Sequence, residues 1–429
     1  MNSMLLLFGS LAVFLILGTP IAFSIGLSVI LTLFLHDQLP MIILFQQTYQ
    51  GLDSFTLLAL PLFIMAGDLM GRVGLIDDLL AVCEVLLGRV RGSLAHANIL
   101  GSMFFAGISG SATADTAAIG GILIPVMEKQ GYDSDFAVAV TASSSVIGPI
   151  IPPSIGFVLY GATMMVSISD LFIAGMVPGI MLGLALMIPT AYISHKRNYP
   201  KSNRAYTPKE IIRTMMRAIP AVIMPVLILG GILGGIFTPT EAADVAVVYA
   251  LLVGMLYYKS LNIRTVCNCI VQSVISCGAV LLIVGFSGCF GALVAMTQVP
   301  QAIAGFLLSF TSSKVVLLLL INVFLLIMGC VMESNAILLI CAPILAPVAV
   351  QFGVDPVHFG VIFLLNIIIG LATPPFGMCL FIATSKANVS LSKAMRAIVP
   401  FCIAEIAVLF LITYIPEICM FLPRLLNGR

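Results

Sequence analysis

Charge is scarce in this chain. Only 9% of its 429 residues are Asp, Glu, Lys or Arg, against 61% hydrophobic, where a soluble domain carries roughly 25% charged residues. That balance excludes a soluble core. The ten cysteines include no CxxC pair and no Cys/His cluster at metal-ligand spacing, Cys267 and Cys269 being the closest two. No transition-metal site or organic cofactor is therefore expected, and the cysteines read as small apolar packing residues. His36, His96, His195 and His358 are dispersed, and neither a Ser/His/Asp set nor a phosphate-binding glycine loop occurs, which leaves a membrane-embedded enzyme without chemistry. The basic residues fall in gaps between apolar runs rather than in one stripe, so nucleic acid is not a partner. Met1-Asn2-Ser3 has no positive charge and no cleavage-like site follows it, so the first apolar run is expected to stay as a membrane helix.

What is present is a succession of apolar runs with short polar breaks, near 4–18, 21–35, 54–70, 136–166, 171–194, 218–237, 242–258, 273–292, 358–385 and 397–421. These predict about ten transmembrane helices in one all-α integral membrane domain, 1–429. Two further stretches, 94–130 and 315–350, are interrupted midway by Gly107-Ile108-Ser109-Gly110-Ser111-Ala112-Thr113-Ala114-Asp115 and by Met332-Glu333-Ser334-Asn335. Polar, glycine-rich backbone at membrane depth is tolerated only where it lines a cavity or is buried in protein, so each stretch predicts a re-entrant hairpin with its tip at the break. Segments 73–92 and 293–313 place leucines at helical spacing, as in Leu75, Leu79, Val82, Leu86 and Val90, and predict helices along the membrane interface.

An internal repeat supports the hairpins. At a shift of 222 residues, Pro125, Val126, Gly131, Asp133, Ile147, Gly148, Pro152 and Pro153 fall on Pro347, Val348, Gly353, Asp355, Ile369, Gly370, Pro374 and Pro375. Roughly two such matches are expected by chance. Ser111 then lies opposite Glu333 and Thr113 opposite Asn335. With the N-terminus outside, sixteen of the nineteen Lys and Arg fall on the cytoplasmic side, as the positive-inside rule requires. The predicted organisation is a first inverted repeat over 1–170, a connecting helix and cytoplasmic loop over 171–217, a second inverted repeat over 218–396, and a C-terminal helix over 397–429.

Each half also has a helix interrupted by tandem prolines, at Gly148-Pro149-Ile150-Ile151-Pro152-Pro153-Ser154 and at Gly370-Leu371-Ala372-Thr373-Pro374-Pro375-Phe376-Gly377. Proline lacks the backbone donor and clashes with the preceding turn, so the helix unwinds and frees carbonyls. Inverted-repeat transporters use freed carbonyls and helix C-termini for a small cation, and half-helix N-termini for an anionic group. Hydroxyls, amides and carbonyls without sulfur or imidazole suit a hard monovalent cation, sodium before others. The cation candidates are Ser109, Gly110, Ser111, Thr113, Pro149, Pro152, Ser154, Ser334, Asn335, Ala372 and Thr373. The substrate candidates are Ser111, Ala112, Asp115, Ser145, Glu333, Asn335, Asn366, Thr373 and Pro374. Each of Ser143, Ser144 and Ser145, within an apolar helix, is more readily bonded to its own backbone than to an ion. Asp115 and Glu333 at the tips read as functional, whereas Asp68, Glu241, Asp244 and Glu405 read as interfacial or helix-capping carboxylates. No Lys or Arg stands at the tips or breaks, so helix dipoles, hydroxyls, amides or a coupled cation would hold an anion.

Leu60-Pro61-Leu62-Phe63-Ile64-Met65-Ala66-Gly67, the tip Gly110 to Gly120, Ile151-Pro152-Pro153-Ser154 and Thr238-Pro239-Thr240-Glu241-Ala242-Ala243 resemble, in that order, the large membrane subunit of tripartite ATP-independent periplasmic (TRAP) transporters. The resemblance covers essentially the whole chain. It implies a sodium-coupled importer of small organic anions, carboxylates such as C4-dicarboxylates, sugar acids or sialic acids, in the bacterial inner membrane. It also implies an elevator mechanism within the ion-transporter superfamily fold, a separate four-helix small membrane subunit, and a periplasmic substrate-binding protein. An ion channel is the nearest alternative, since re-entrant loops occur there too. Hairpins opening from opposite sides favour alternating access.

Overall fold

The computed structural model describes residues 3–35, 40–201, 207–310, 313–375 and 377–427. His36, Arg204, Phe376 and Arg429 lie outside them. Every regular element among the described residues is helical, as expected where backbone groups must be satisfied within the segment itself. The first half runs α1 (Ser3–Ile16), α2 (Ile21–Leu35), α3 (Ile42–Leu52), α4 (Ala59–Arg72), entered through a 3-10 turn at Phe55–Leu58, α5 (Leu75–Leu87), α6 (Ser93–Ser109), α7 (Ala112–Lys129), α8 (Ser134–Ser144), α9 (Ile155–Met164) and α10 (Ile168–Lys196). The second runs α11 (Pro208–Leu233), α12 (Pro239–Leu252), α13 (Ile263–Met296), α14 (Val299–Phe310), α15 (Lys314–Val331), α16 (Ser334–Gln351), α17 (Pro356–Ala372), α18 (Met378–Thr384), α19 (Leu391–Tyr414) and α20 (Pro416–Asn427).

The helix boundaries carry the 222-residue period. α6 and α7 end at Ser109 and Lys129, while α15 and α16 end 222 residues later at Val331 and Gln351. α8 and α17 start at Ser134 and Pro356, again 222 apart. The runs 136–166 and 358–385 are indeed broken, into α8 and α9 and into α17 and α18. Lone prolines do not have that effect: Pro178 and Pro189 both sit inside the continuous α10. By length and composition, eight helices among the described residues could cross a membrane, α15 and α16 among them.

Three elements differ from the sequence reading. α3 fills the gap between the second and third predicted spans. α13 is 34 residues long, not the twenty of 273–292. The last run, 397–421, is two helices divided at Ile415.

α8 and α17 are central: Phe136 to Ser144 and Val357 to Ala372 are buried throughout, the mark of helices enclosed on all sides. α17 packs on α15, α16 and α19, and α8 on α7 and α19. α15 and α17 approach so closely that a Cβ on Gly370 would overlap the Gly329 backbone. A second group, α2, α3, α4, α12 and α13, packs mutually. α5 lies against α6, and α14 against α16, so the two helices predicted along the interface join the groups.

Candidate functional site

The first tip is a two-residue link between α6 and α7. Gly110 adopts φ +58°, and a Cβ there would sit 2.7 Å from the Pro153 carbonyl oxygen. The left-handed conformation and the close approach both require glycine, and the approach seats the tip on the first proline break. Ser111 caps α7, its Oγ accepting from Ala114 N at 3.4 Å and lying 3.2 Å from Thr113 Oγ1. At the break, a 3-10 turn over Ser145–Ile147 ends α8, and Ser154 restarts the helix by accepting from Phe157 N at 3.2 Å. The second tip has the same plan with different chemistry. Glu333 caps α16, accepting from Ala336 N at 3.1 Å and from Asn335 Nδ2 at 2.8 Å. The Pro152–Pro153 and Pro374–Pro375 bonds are both cis.

Both tips meet at one cavity of about 90 Å³. Gly110 to Thr113 and Pro149 line it from the first half, Glu333, Ser334 and Asn335 from the second, and Leu364, Ile368 and Leu371 of α17 form its apolar wall. It has room on the order of a few waters, short of the roughly 300 Å³ at which small-molecule pockets begin. A larger cavity of about 700 Å³ adjoins it and shares Ser111, Thr113, Ile155 and Asn335 as common wall. Its other side is α4, with Gly67, Asp68 and Arg72, and Ser276 and Val280 of α13; Ser109 also lines it. A third cavity, of about 520 Å³ between α3, α13 and α16, shares no lining residue with the central one.

The remaining sequence candidates stand back from the central cavity. Asp115 is fully buried in the first turn of α7, neither carboxyl oxygen having a hydrogen-bond partner among the described residues. Ser145 donates to the Thr141 carbonyl at 2.8 Å, and Ser144 to the same carbonyl at 3.1 Å, while the Ser143 hydroxyl has no partner. Asn366 donates to Asn322 Oδ1 at 2.7 Å and Asn322 to Thr413 Oγ1 at 3.0 Å, so Asn366 serves a bridge between α17, α15 and α19. Thr373 donates back to the Ile369 carbonyl at 2.8 Å. Pro152, Ala372 and Pro374 shape the breaks behind the lining, with Ser154 in its cap. Asp115, Ser145 and Asn366 are thus not among the residues lining the central cavity; Ser145 bonds its own helix and Asn366 a neighbouring one.

Two acidic assignments separate likewise. Glu241 is a capping carboxylate, accepting from Thr238 N at 2.8 Å within a capping box. Glu405, read as interfacial or capping, is instead fully buried in mid-α19, with neither oxygen hydrogen-bonded among the described residues. The sequence reading also missed Arg72 and Asp68 as neighbours of the first tip, because α4 and the tip meet only in the folded chain.

Residues 8–418 match the family described as "Tripartite ATP-independent periplasmic transporter, DctM component". The isethionate TRAP transporter permease protein DctMQ of Oleidesulfovibrio alaskensis is 40% identical over 97% of this chain, which spans 65% of that protein's length. The sialic acid TRAP transporter large permease protein SiaM of Vibrio cholerae is 38% identical over 96% of both chains. The C4-dicarboxylate TRAP transporter large permease protein DctM of Rhodobacter capsulatus is 34% identical over 99% of this chain and 100% of that one. The crystal structure of the YdaH transporter of Alcanivorax borkumensis, described as having an unusual topology, superposes with a TM-score of 0.65 at 16% identity, covering 88% of this chain and 89% of that one. It bears on the fold alone.

Proposed function

This multi-pass membrane protein belongs to the DctM family of TRAP transporter large permeases, which are not enzymes, and on that premise we propose that it imports a small organic anion by sodium-coupled alternating access in the bacterial inner membrane. The observation that carries the reading is the convergence of both tips and the first proline break on one cavity, which shares a wall with one larger cavity and not with the other. Hydroxyls of Ser111, Thr113 and Ser334, the Asn335 amide and the Glu333 carboxylate supply oxygen ligands suited to sodium. A cation held there offsets an arriving anionic charge, the basis of symport. The relatives' substrates point to a carboxylate such as a C4-dicarboxylate or sialic acid, or a sulfonate such as isethionate.

The two halves are inverted repeats with the N-terminus outside, and the hairpins with their broken helices move as one elevator body against the group around α4, α12 and α13. A small membrane subunit and a periplasmic binding protein complete the system. Reconstitution of the three components tests the reading. Saturable solute accumulation driven by a sodium gradient is expected. Accumulation driven by protons and indifferent to sodium would remove the cation assignment, and passive ion flux without accumulation would favour a channel.

A further inference from the structure

Among the described residues the central cavity has no Lys or Arg in its lining, yet on the reading above an anion passes its walls. The 700 Å³ cavity does have one. Arg72, exposed at the end of α4, lines it opposite the hydroxyls of Ser109, Ser111 and Thr113 and the Asn335 amide. Among the described residues no carboxylate lies within ion-pair distance of the Arg72 guanidinium. Asp68 stands one turn earlier on the same helix and on the same cavity wall. A guanidinium presents five donors in a planar fork that matches a carboxylate or sulfonate. Its place on the cavity wall distinguishes it from a basic residue that merely anchors a helix end in the headgroup region.

Resting on the functional reading above, we infer that Arg72 is the oxyanion-binding residue of this cavity: it receives the acidic end of the substrate as the tips release it. Asp68 tempers the positive field, which suits release rather than trapping. The inference is tested on the reconstituted three-part system by exchange, with labelled succinate, sialic acid or isethionate delivered outside by the binding protein and the same compound varied unlabelled inside. In Arg72→Gln, the internal concentration giving half-maximal exchange should rise roughly tenfold, the usual scale for losing a hydrogen bond to a charged group, while half-saturation by sodium stays unchanged. Arg72→Lys, which keeps the charge and loses the fork, should lie between the two and also covers the case in which Arg72→Gln fails to fold. Wild-type exchange matched by both variants overturns the Arg72 assignment and leaves the transport reading intact. Absence of exchange in the wild type overturns the transport reading itself, and the site with it.

Discussion

At the scale of single residues, Gly110 carries the sharpest demand. Its positive φ costs an L-residue roughly 1–2 kcal/mol, and a Cβ would press on the Pro153 carbonyl. Gly110→Ala is expected to lower uptake at least about tenfold by displacing the tip from the break, measured against membrane expression and melting temperature in detergent. Ser111→Ala and Asn335→Ala should raise the sodium concentration for half-maximal uptake before they reduce expression. Unchanged sodium dependence in both would move the cation elsewhere. Asn322→Ala should act differently, leaving Asn366 buried without its partner at a cost of about 1–3 kcal/mol, and so lower the melting temperature with sodium affinity unaffected. The tips were legible as residues because small and polar side chains in an apolar run have few other reasons to exist. The inward assignment of Asn366 and Asp115 was not, since helix rotation is invisible without the neighbours.

At the scale of elements, the end of α10 is tied to the α7–α8 turn. Arg197 reaches Asp133 and Asp135 at 2.9 Å, and Tyr199 donates to Asp133 at 2.7 Å while its ring stacks on Tyr132 at 4.7 Å. The Tyr199 hydrogen bond, with Arg197 beside it, holds the Asp133 carboxyl below the usual carboxylate range. A depressed carboxyl stabilises the fold above its unfolded pKa of about 3.9 and loses that contribution as pH falls through the folded value. The difference in melting temperature between Arg197→Ala and wild type should therefore be present at pH 7 and shrink as the pH falls below about 3.9 and the carboxyl takes up its proton. The proposed inverted arrangement makes its own prediction. Gln130 and Gln351 are exposed at the ends of α7 and α16, and cysteines there, in a cysteine-free background, should react with impermeant reagent from opposite sides. Reaction from one side would refute inversion. Most elements could be read from hydropathy because the bilayer penalises polar backbone. α3 was lost because Gln46, Gln47 and Gln50 dilute its apolar face, and the first third of α13 because Cys267, Asn268, Cys269, Gln272 and Ser273 resemble a break. Gln46, Gln50, Cys267, Asn268 and Gln272 stay exposed, and the helices form because their other faces pack on neighbours that no single segment records.

At the scale of the whole molecule, transport by an elevator requires α4 and the first tip to part. A Cβ on Gly67 would lie 3.4 Å from the Ser109 Cα, which keeps the two Cα atoms within about 5 Å of each other, inside the reach of a disulfide. Oxidised Gly67→Cys/Ser109→Cys protein should lose uptake and regain it on reduction. Full activity in the cross-linked state would rule out that motion. α13 bears on the surroundings as well. Its 34 residues measure about 51 Å at 1.5 Å per residue, and its only charge is Arg264 near the start. A hydrocarbon layer is roughly 30 Å thick, so the rod must lean, bend or emerge, and its lean follows the thickness of the lipid around it. Because α2, α3 and α4 rest on α13 and α16 also touches it, thinner or thicker membranes would shift the bed on which those helices lie, and under the proposed sliding motion acyl-chain length becomes a control on turnover written into one helix.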